Sequence, residues 1–450
     1  MKMVEYRRYW DEERETLLPA ERRKRIFVQL KKQLDYAYAN IPFYKALYDR
    51  HRVKPDDINN LEVFTERIPV VTKQMLRESQ SRHPPFGDYL GIQPHEIYRI
   101  HGTSGTTGVP TMFAISRDDW NFMSEATAML LWGAGVRPSD TVQISFPMSL
   151  FLGGWGMLGG AERIGAKIMT IGGGETERQV TLLYHVGSTV LCATPSYSLY
   201  MLEAARQMGK DPRASPLRLG IFGGEPGAGI PEAKRTMEES WGFKAIDFGN
   251  SAEVHPPSNM ECEHRTGMHV YNDVVHTEIV NKDDPHTLVP MGDRGGIVYT
   301  ALWRRSQPMI RYWVGDETLM SDEPCPCGRT YPRMPSGVLG RLDDLLIIRG
   351  TNVYPSAIES ALRDVPGIGV EFRVYVTKKV GSIVAARVDA EIDPSRDIDP
   401  NGNDAAQALC RAAEKKIKAV TGVTMPVTLV KAGTFSRASL KARRVMEVPS

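Results

Sequence analysis

Residues 101–110 read HGTSGTTGVP. Glycines let a backbone turn tightly and bring successive N–H groups to bear on one anion. The hydroxyls of Thr103, Ser104, Thr106 and Thr107 add donors that can follow phosphate oxygens. With Gly105 and Gly108 they read as a phosphate-binding loop. No Lys-Ser/Thr follows the last glycine, so this is not a Walker loop, and it is not the dinucleotide fingerprint either. A second group of residues has metal chemistry. Cys325 and Cys327 flank Pro326, and Cys262 precedes His264 and His269. Thiolates and imidazoles in this mix suit tetrahedral zinc with no open position. Spacing leaves His264 and His269 in competition.

The chain that must position these groups has 450 residues, 42% hydrophobic and 24% charged, with net charge +2. The length fits two or three domains. So small a net charge asks for neither nucleic acid nor an anionic membrane. The N-terminus, MKMVEYRRYWDEERE, is charged throughout and has no apolar signal core. From Thr141 to Ala161 there are 21 uncharged residues, about one membrane span. Five glycines and Pro147 fall within them, so a buried strand followed by a glycine-rich loop is expected instead. The cysteines are odd in number (Cys192, Cys262, Cys325, Cys327 and Cys410), which disfavours a disulfide framework and points to the cytoplasm.

Residues 1 to about 80 read as mostly helical, with helical spacing from Arg22 to Asp49. From about 85 to 255, short apolar runs (TVQISF, AKIMTI, STVLCAT, LRLGIF) alternate with longer helical segments. That alternation predicts an α/β fold with helix-covered, mainly parallel sheets. Residues 265 to 320 are richer in short strands, expected to be antiparallel. Near 340 a small α+β unit begins. LDDLLIIRG is a strand or hairpin, SAIESALRDV a helix, VEFRVYV and SIVAARVDAEI strands, AAQALCRAAEKKIKAV a helix and PVTLVKA a final strand. The predicted division is a large N-terminal domain, 1–340, and a small mobile C-terminal domain, 344–450.

Thr103 to Pro110 resembles the phosphate loop of the adenylate-forming superfamily: acyl-CoA ligases, carrier-protein adenylation domains and luciferases. The family loop usually carries a lysine after its last glycine; here that position is Val109. Further matches follow in order: GIFGGEP (220–226), DFGNSAE (247–253), IRYWVGD (310–316), GRLDDLLIIRGTNVYPSAIE (340–359) and SRASLKARR (436–444). DFGNSAE is one residue longer between its glycine and its glutamate than the common spacing. LFLGGWGMLGGAERIGA and TPSYSLYMLE make the chain most similar to the phenylacetate-CoA ligase group. The likeness runs from about residue 20 to the C-terminus.

This resemblance implies a first half-reaction joining a carboxylate to the α-phosphate of ATP, and a second passing the acyl group to coenzyme A. Two anions must meet, so catalysis must supply cations, donors and position. By resemblance Glu253 holds Mg2+, and Lys441 bonds the carboxylate and α-phosphate oxygens together. Asp316 accepts from the ribose hydroxyls and Arg341 is a second ribose or phosphate contact. Gly224, Glu225, Pro226, Asp247, Phe248 and Gly249 complete the nucleotide site with the loop residues. Asp343 is the hinge. Phe222, Gly223, Asn250, Trp155 and Tyr197 line an acyl pocket in which a flat ring fits between glycine backbones and an aromatic wall. Likeness to zinc-bearing members selects Cys262, His269, Cys325 and Cys327 for zinc, and the ligase group suggests a homodimer. Two rival functions stand beside this one. The first is an adenylating enzyme that loads a carrier-protein thiol or an amine. The second is a non-catalytic nucleotide- and zinc-binding sensor or scaffold.

Overall fold

Pro42 sets the first boundary. Ile41, just before it, is extended (φ −123°, ψ 107°), as a residue preceding proline prefers. The single helical stretch expected from Arg22 to Asp49 is therefore two helices, Pro19–Asn40 and Pro42–Arg50. The first buries Ile26, Leu30, Gln33, Leu34 and Ala37 along one stripe.

In this computed structural model the described residues are 5–103, 110–225, 227–348, 351–379, 382–396, 398–400, 402, 404–435 and 444–448. They form two compact units. One comprises 1–172, 188–192 and 246–338; the other comprises 173–187, 193–245 and 339–450. This is a division by packing. The split at 340 and 344 read from the sequence follows the start of the small α+β unit.

In the first unit the apolar run Thr141–Ile144 pairs in parallel with Lys167–Thr170 and with 190–192. The predicted antiparallel region is present too: Val275–Val280, Gly295–Ala301 and Tyr312–Thr318 pair in succession. Met268–Val270 pairs antiparallel with both His255–Glu261 and Arg333–Met334. The glycine-rich run departs from expectation. It is a helix, Leu152–Ile164, not a loop. Glycine is a poor helix former, but here it allows close approach. A Cβ on Gly156 would stand 2.2 Å from the Pro256 side chain, and Gly160 faces Thr127 of the helix Arg117–Gly133. Among the described residues no helix is long and apolar enough to cross a membrane.

The first unit also closes on its own N-terminus. Tyr9 Oη donates to the Cys327 carbonyl at 3.1 Å, and Arg22 donates to the Thr330 carbonyl at 2.9 Å. Glu15 and Arg329 form an ion pair with both side chains almost wholly buried.

In the second unit, Ile368–Lys379 pairs antiparallel with Ser382–Ile392, and the hairpin Leu346–Ile348/Thr351–Val353 joins the same sheet. Val427–Val430 adds in parallel. It is not the last strand: Val445–Val448 follows and pairs with Ile368–Lys379. Its four residues, VMEV, are too few to show a period in sequence. The helix Asp404–Thr421 buries Ala406, Leu409, Ala413 and Ile417 against this sheet.

Candidate active site

Glu253 lies in the turn after the strand Lys244–Ser251, which pairs with His255–Glu261. Register slips twice across Gly249–Ser251, passing over Ser258 and Pro256 on the partner strand, where Pro256 and Pro257 have no N–H to give a ladder. Such irregularities re-aim side chains. This one leaves the Glu253 carboxylate buried, 3.0 Å from Lys73 Nζ, accepting a 2.9 Å hydrogen bond from Ser251 Oγ. Burial pushes the Glu253 pKa up, but the Lys73 charge and the hydrogen bonds more than offset it, so the net shift is downward. A folded-state pKa below the ordinary value means that ionised Glu253 stabilises the fold above that ordinary value. The contribution is lost as pH falls through the lowered pKa.

Lys73 begins the helix Lys73–Arg82, whose N-cap Thr72 accepts from Met75 N. Sequence reasoning missed it, because nothing local marks an isolated lysine.

Thr103 is half-buried, and its hydroxyl accepts from Thr111 N at 3.3 Å. Ser104, Gly105, Thr106, Thr107, Gly108, Pro226 and Lys441 lie outside the described residues. Asp247 and Phe248 are buried on their strand, where Phe248 meets Phe146 edge-on at 6.0 Å. Gly249 and Asn250 share that strand. Asp316 is half-buried on Tyr312–Thr318, directly after Gly315 at φ +81°. Trp155 is half-buried, with its indole N–H on the Ser149 carbonyl at 2.8 Å and Arg99 over its ring. These described residues belong to the first unit, with Glu253.

The remaining assigned residues are in the second unit. Gly224, at φ +88°, makes the turn after Leu219–Phe222. Glu225 accepts from Ser196 N at 2.8 Å and from Ser196 Oγ. Its enclosure raises its pKa, and the Ser196 bonds only partly compensate. Phe222 is fully buried against Phe243. Tyr197 is buried with its hydroxyl donating to the Gly174 carbonyl and accepting from Gln179, both at 3.0 Å, which leaves only its ring to offer a ligand. Arg341 is exposed on Gly340–Arg341, and the Asp343 backbone lies in the 3-10 turn Leu342–Asp344.

The four metal candidates come together. The ligand atoms of Cys262, His269, Cys325 and Cys327 all lie within 4.8 Å of one another, and all four residues are buried. His264 is exposed and stands outside this group. Cys262 Sγ and Cys325 Sγ are 3.7 Å apart, and Cys327 Sγ is 3.3 Å from His269 Nε2. Four donors about 2.3 Å from a tetrahedral centre would be spaced roughly 3.7 Å apart. The cluster therefore fits zinc in donor type and in spacing.

Two family models match the chain. Residues 19–301 match the AMP-binding enzyme family, and residues 350–448 match its C-terminal domain. The phenylacetate–coenzyme A ligase of Thermus thermophilus is 35% identical over 433 residues, 93% of this chain and 95% of that one. The Escherichia coli enzyme of the same name is 33% identical, covering 93% of each chain. A crystal structure of a 2-hydroxyisobutyryl-CoA ligase in its postadenylation state superposes with a TM-score of 0.93 at 39% identity, over 99% of this chain and 95% of that one. The chain belongs to the AMP-binding enzymes and, within them, to the phenylacetate–coenzyme A ligase-like group.

Proposed function

We propose that the protein is an AMP-forming acid–coenzyme A ligase. A carboxylate oxygen attacks the α-phosphorus of ATP and pyrophosphate leaves; the coenzyme A sulfur then attacks the acyl carbon of the acyl-AMP and AMP leaves. The observation that carries this reading is the end-to-end likeness to phenylacetate–coenzyme A ligases, 35% identical across 93% of the chain. The Glu253 site agrees with it: a buried carboxylate kept ionised by a lysine is what a Mg2+–ATP complex needs from a protein.

The residues divide the work as follows. Thr103, Ser104, Gly105, Thr106, Thr107 and Gly108 bind the phosphates. Gly224, Glu225, Pro226, Asp247, Phe248 and Gly249 hold the nucleotide, and Asp316 and Arg341 hold its ribose. Mg2+ at Glu253 would neutralise phosphate charge. Lys73 supplies a cation that the loop lacks at Val109, and Lys441 bridges the reacting oxygens. Asp343 lets the domain 344–450 turn against 1–340 between the two steps. A cytoplasmic setting and a homodimer belong to the same reading.

The acid we assign first is aryl or arylacetic, held near Trp155, Tyr197, Phe222, Gly223 and Asn250. A second reading, a short branched 2-hydroxy acid, is favoured by the 39% identity to the 2-hydroxyisobutyryl-CoA ligase. ATP-dependent pyrophosphate release across aryl, arylacetic, aliphatic and 2-hydroxy acids, with and without coenzyme A, tests both. Turnover with one acid class that rises with coenzyme A supports the ligase and names its substrate. Release indifferent to coenzyme A moves the acceptor to a carrier thiol or an amine. No release with any acid favours the non-catalytic sensor.

Cys262, His269, Cys325 and Cys327 would hold a structural zinc, closing the knuckle on which the N-terminal segment packs. Metal analysis of purified protein is expected to find about one zinc per chain, and Cys325→Ser to lower both metal content and melting temperature. Metal-free protein with full stability would remove the zinc assignment.

A further inference from the structure

Arg304 is a buried guanidinium, 3% exposed, at a point where two parts of the proposed nucleotide site meet. Its Nη1 donates to the Glu253 carbonyl and, at 3.4 Å, to that of Val254. Its Nη2 donates at 3.3 Å to the carbonyl of Ala114, on the strand Met112–Ser116 that leaves the glycine-rich segment. The residues beside it bind the same strand. Ser306 Oγ donates to the Ala114 carbonyl at 2.8 Å, and Gln307 Oε1 accepts from Ala114 N at 2.6 Å. Asp119 accepts from the N–H groups of Arg305 and Ser306 at 2.9 and 2.8 Å, and Gln33 donates to the Arg304 carbonyl.

Taking a guanidinium out of water is costly, and main-chain carbonyls return only part of its hydration. Burial lowers the Arg304 pKa, with the nearby Asp119 charge opposing it. A neutral side chain of similar shape would fill the space at less cost. What it could not do is grip carbonyls on two separate segments through one rigid fork while placing a fixed positive charge behind a polyphosphate site.

We propose that Arg304 is a positioning residue for adenylation: its guanidinium ties the Glu253 turn to the strand Met112–Ser116, and so aims the Glu253 carboxylate at the divalent cation that accompanies ATP. This rests on reading Glu253 as that cation's carboxylate.

The test is a Mg2+ titration of acid-dependent pyrophosphate release by Arg304→Lys, Arg304→Met and Glu253→Gln, with folding checked by circular dichroism and melting temperature. Lysine keeps the charge but cannot span both segments, so Arg304→Lys is the decisive variant should the methionine protein fail to fold. The Mg2+ concentration for half-maximal rate is expected to rise about tenfold in Arg304→Lys, as for other residues that orient a metal ligand, with the KM for the acid unchanged. A general loss of structure would lower melting temperature and rate together without moving the Mg2+ midpoint. A folded Arg304→Lys with the wild-type midpoint, while Glu253→Gln shifts it, overturns the role of Arg304 alone. A wild-type midpoint in Glu253→Gln overturns the reading of Glu253, and this proposal with it.

Discussion

Glu253→Gln is expected to slow acid-dependent pyrophosphate release by about 10²- to 10³-fold, the scale on which a preorganised electrostatic group contributes to a charged transition state. The amide keeps the size of the carboxylate and its bond to Ser251 Oγ, but removes the charge facing Lys73 Nζ at 3.0 Å. Two consequences separate loss of chemistry from loss of fold. Added Mg2+ should recover part of the rate, and the melting temperature should fall by only a few degrees, because Lys73 is partly exposed and can turn to water. Lys73→Met probes the same pair from the other side. Burial is the largest influence on Glu253, and without the lysine it is no longer offset, so the carboxylate pKa rises. The acid limb of the pH–rate profile for pyrophosphate release should then move to higher pH. An unmoved limb would show that the Lys73 pair does not govern the ionisation that matters.

Lys441→Ala should remove about 10³-fold from adenylation and much less from thioester formation started with preformed acyl-AMP. Only in the first half-reaction must a cation hold the carboxylate and the α-phosphate together, and a compact ammonium with three donors is suited to it. The acyl-adenylate already carries the bond that the lysine helps to form. The two steps can be measured on one protein preparation, as pyrophosphate release and as acyl-CoA formation from synthetic acyl-AMP. Equal losses in both would contradict the assignment, and undiminished adenylation would move the role to another residue of the segment 436–444.

The features readable in the sequence are those whose chemistry is local. A glycine-rich run, the Gly315-Asp316 turn and the Cys-Pro-Cys knuckle each announce themselves within ten residues. The strands Ile368–Lys379 and Ser382–Ile392 were equally plain, because apolar and polar residues alternate along much of each, whereas the short Val445–Val448 was not. The glycine-rich helix was not. Its five glycines favour a loop by propensity, and only the neighbours Thr127 and Pro256 show why the backbone must come so close. Lys73 and Arg304 stayed hidden for a related reason. Each acts on Glu253 from a distant part of the chain, and a lone basic residue carries no sign of what it will meet. His264 and His269, indistinguishable by spacing, are separated by burial alone: one faces solvent and the other faces three sulfurs.

The embrace of the knuckle by the N-terminal segment has a consequence for how the molecule is made. Glu15 finds Arg329 across 314 positions of sequence, and Arg22 finds Thr330 across 308. At synthesis rates of about 5–20 residues per second, the first helices wait roughly 15–60 s for their partners to leave the ribosome. Through that interval a buried-to-be glutamate, a paired-to-be arginine and the apolar stripe Ile26–Leu30–Leu34 stand in water or against a chaperone. The first unit, begun earliest, thus cannot close until residues 329 and 330 have been made.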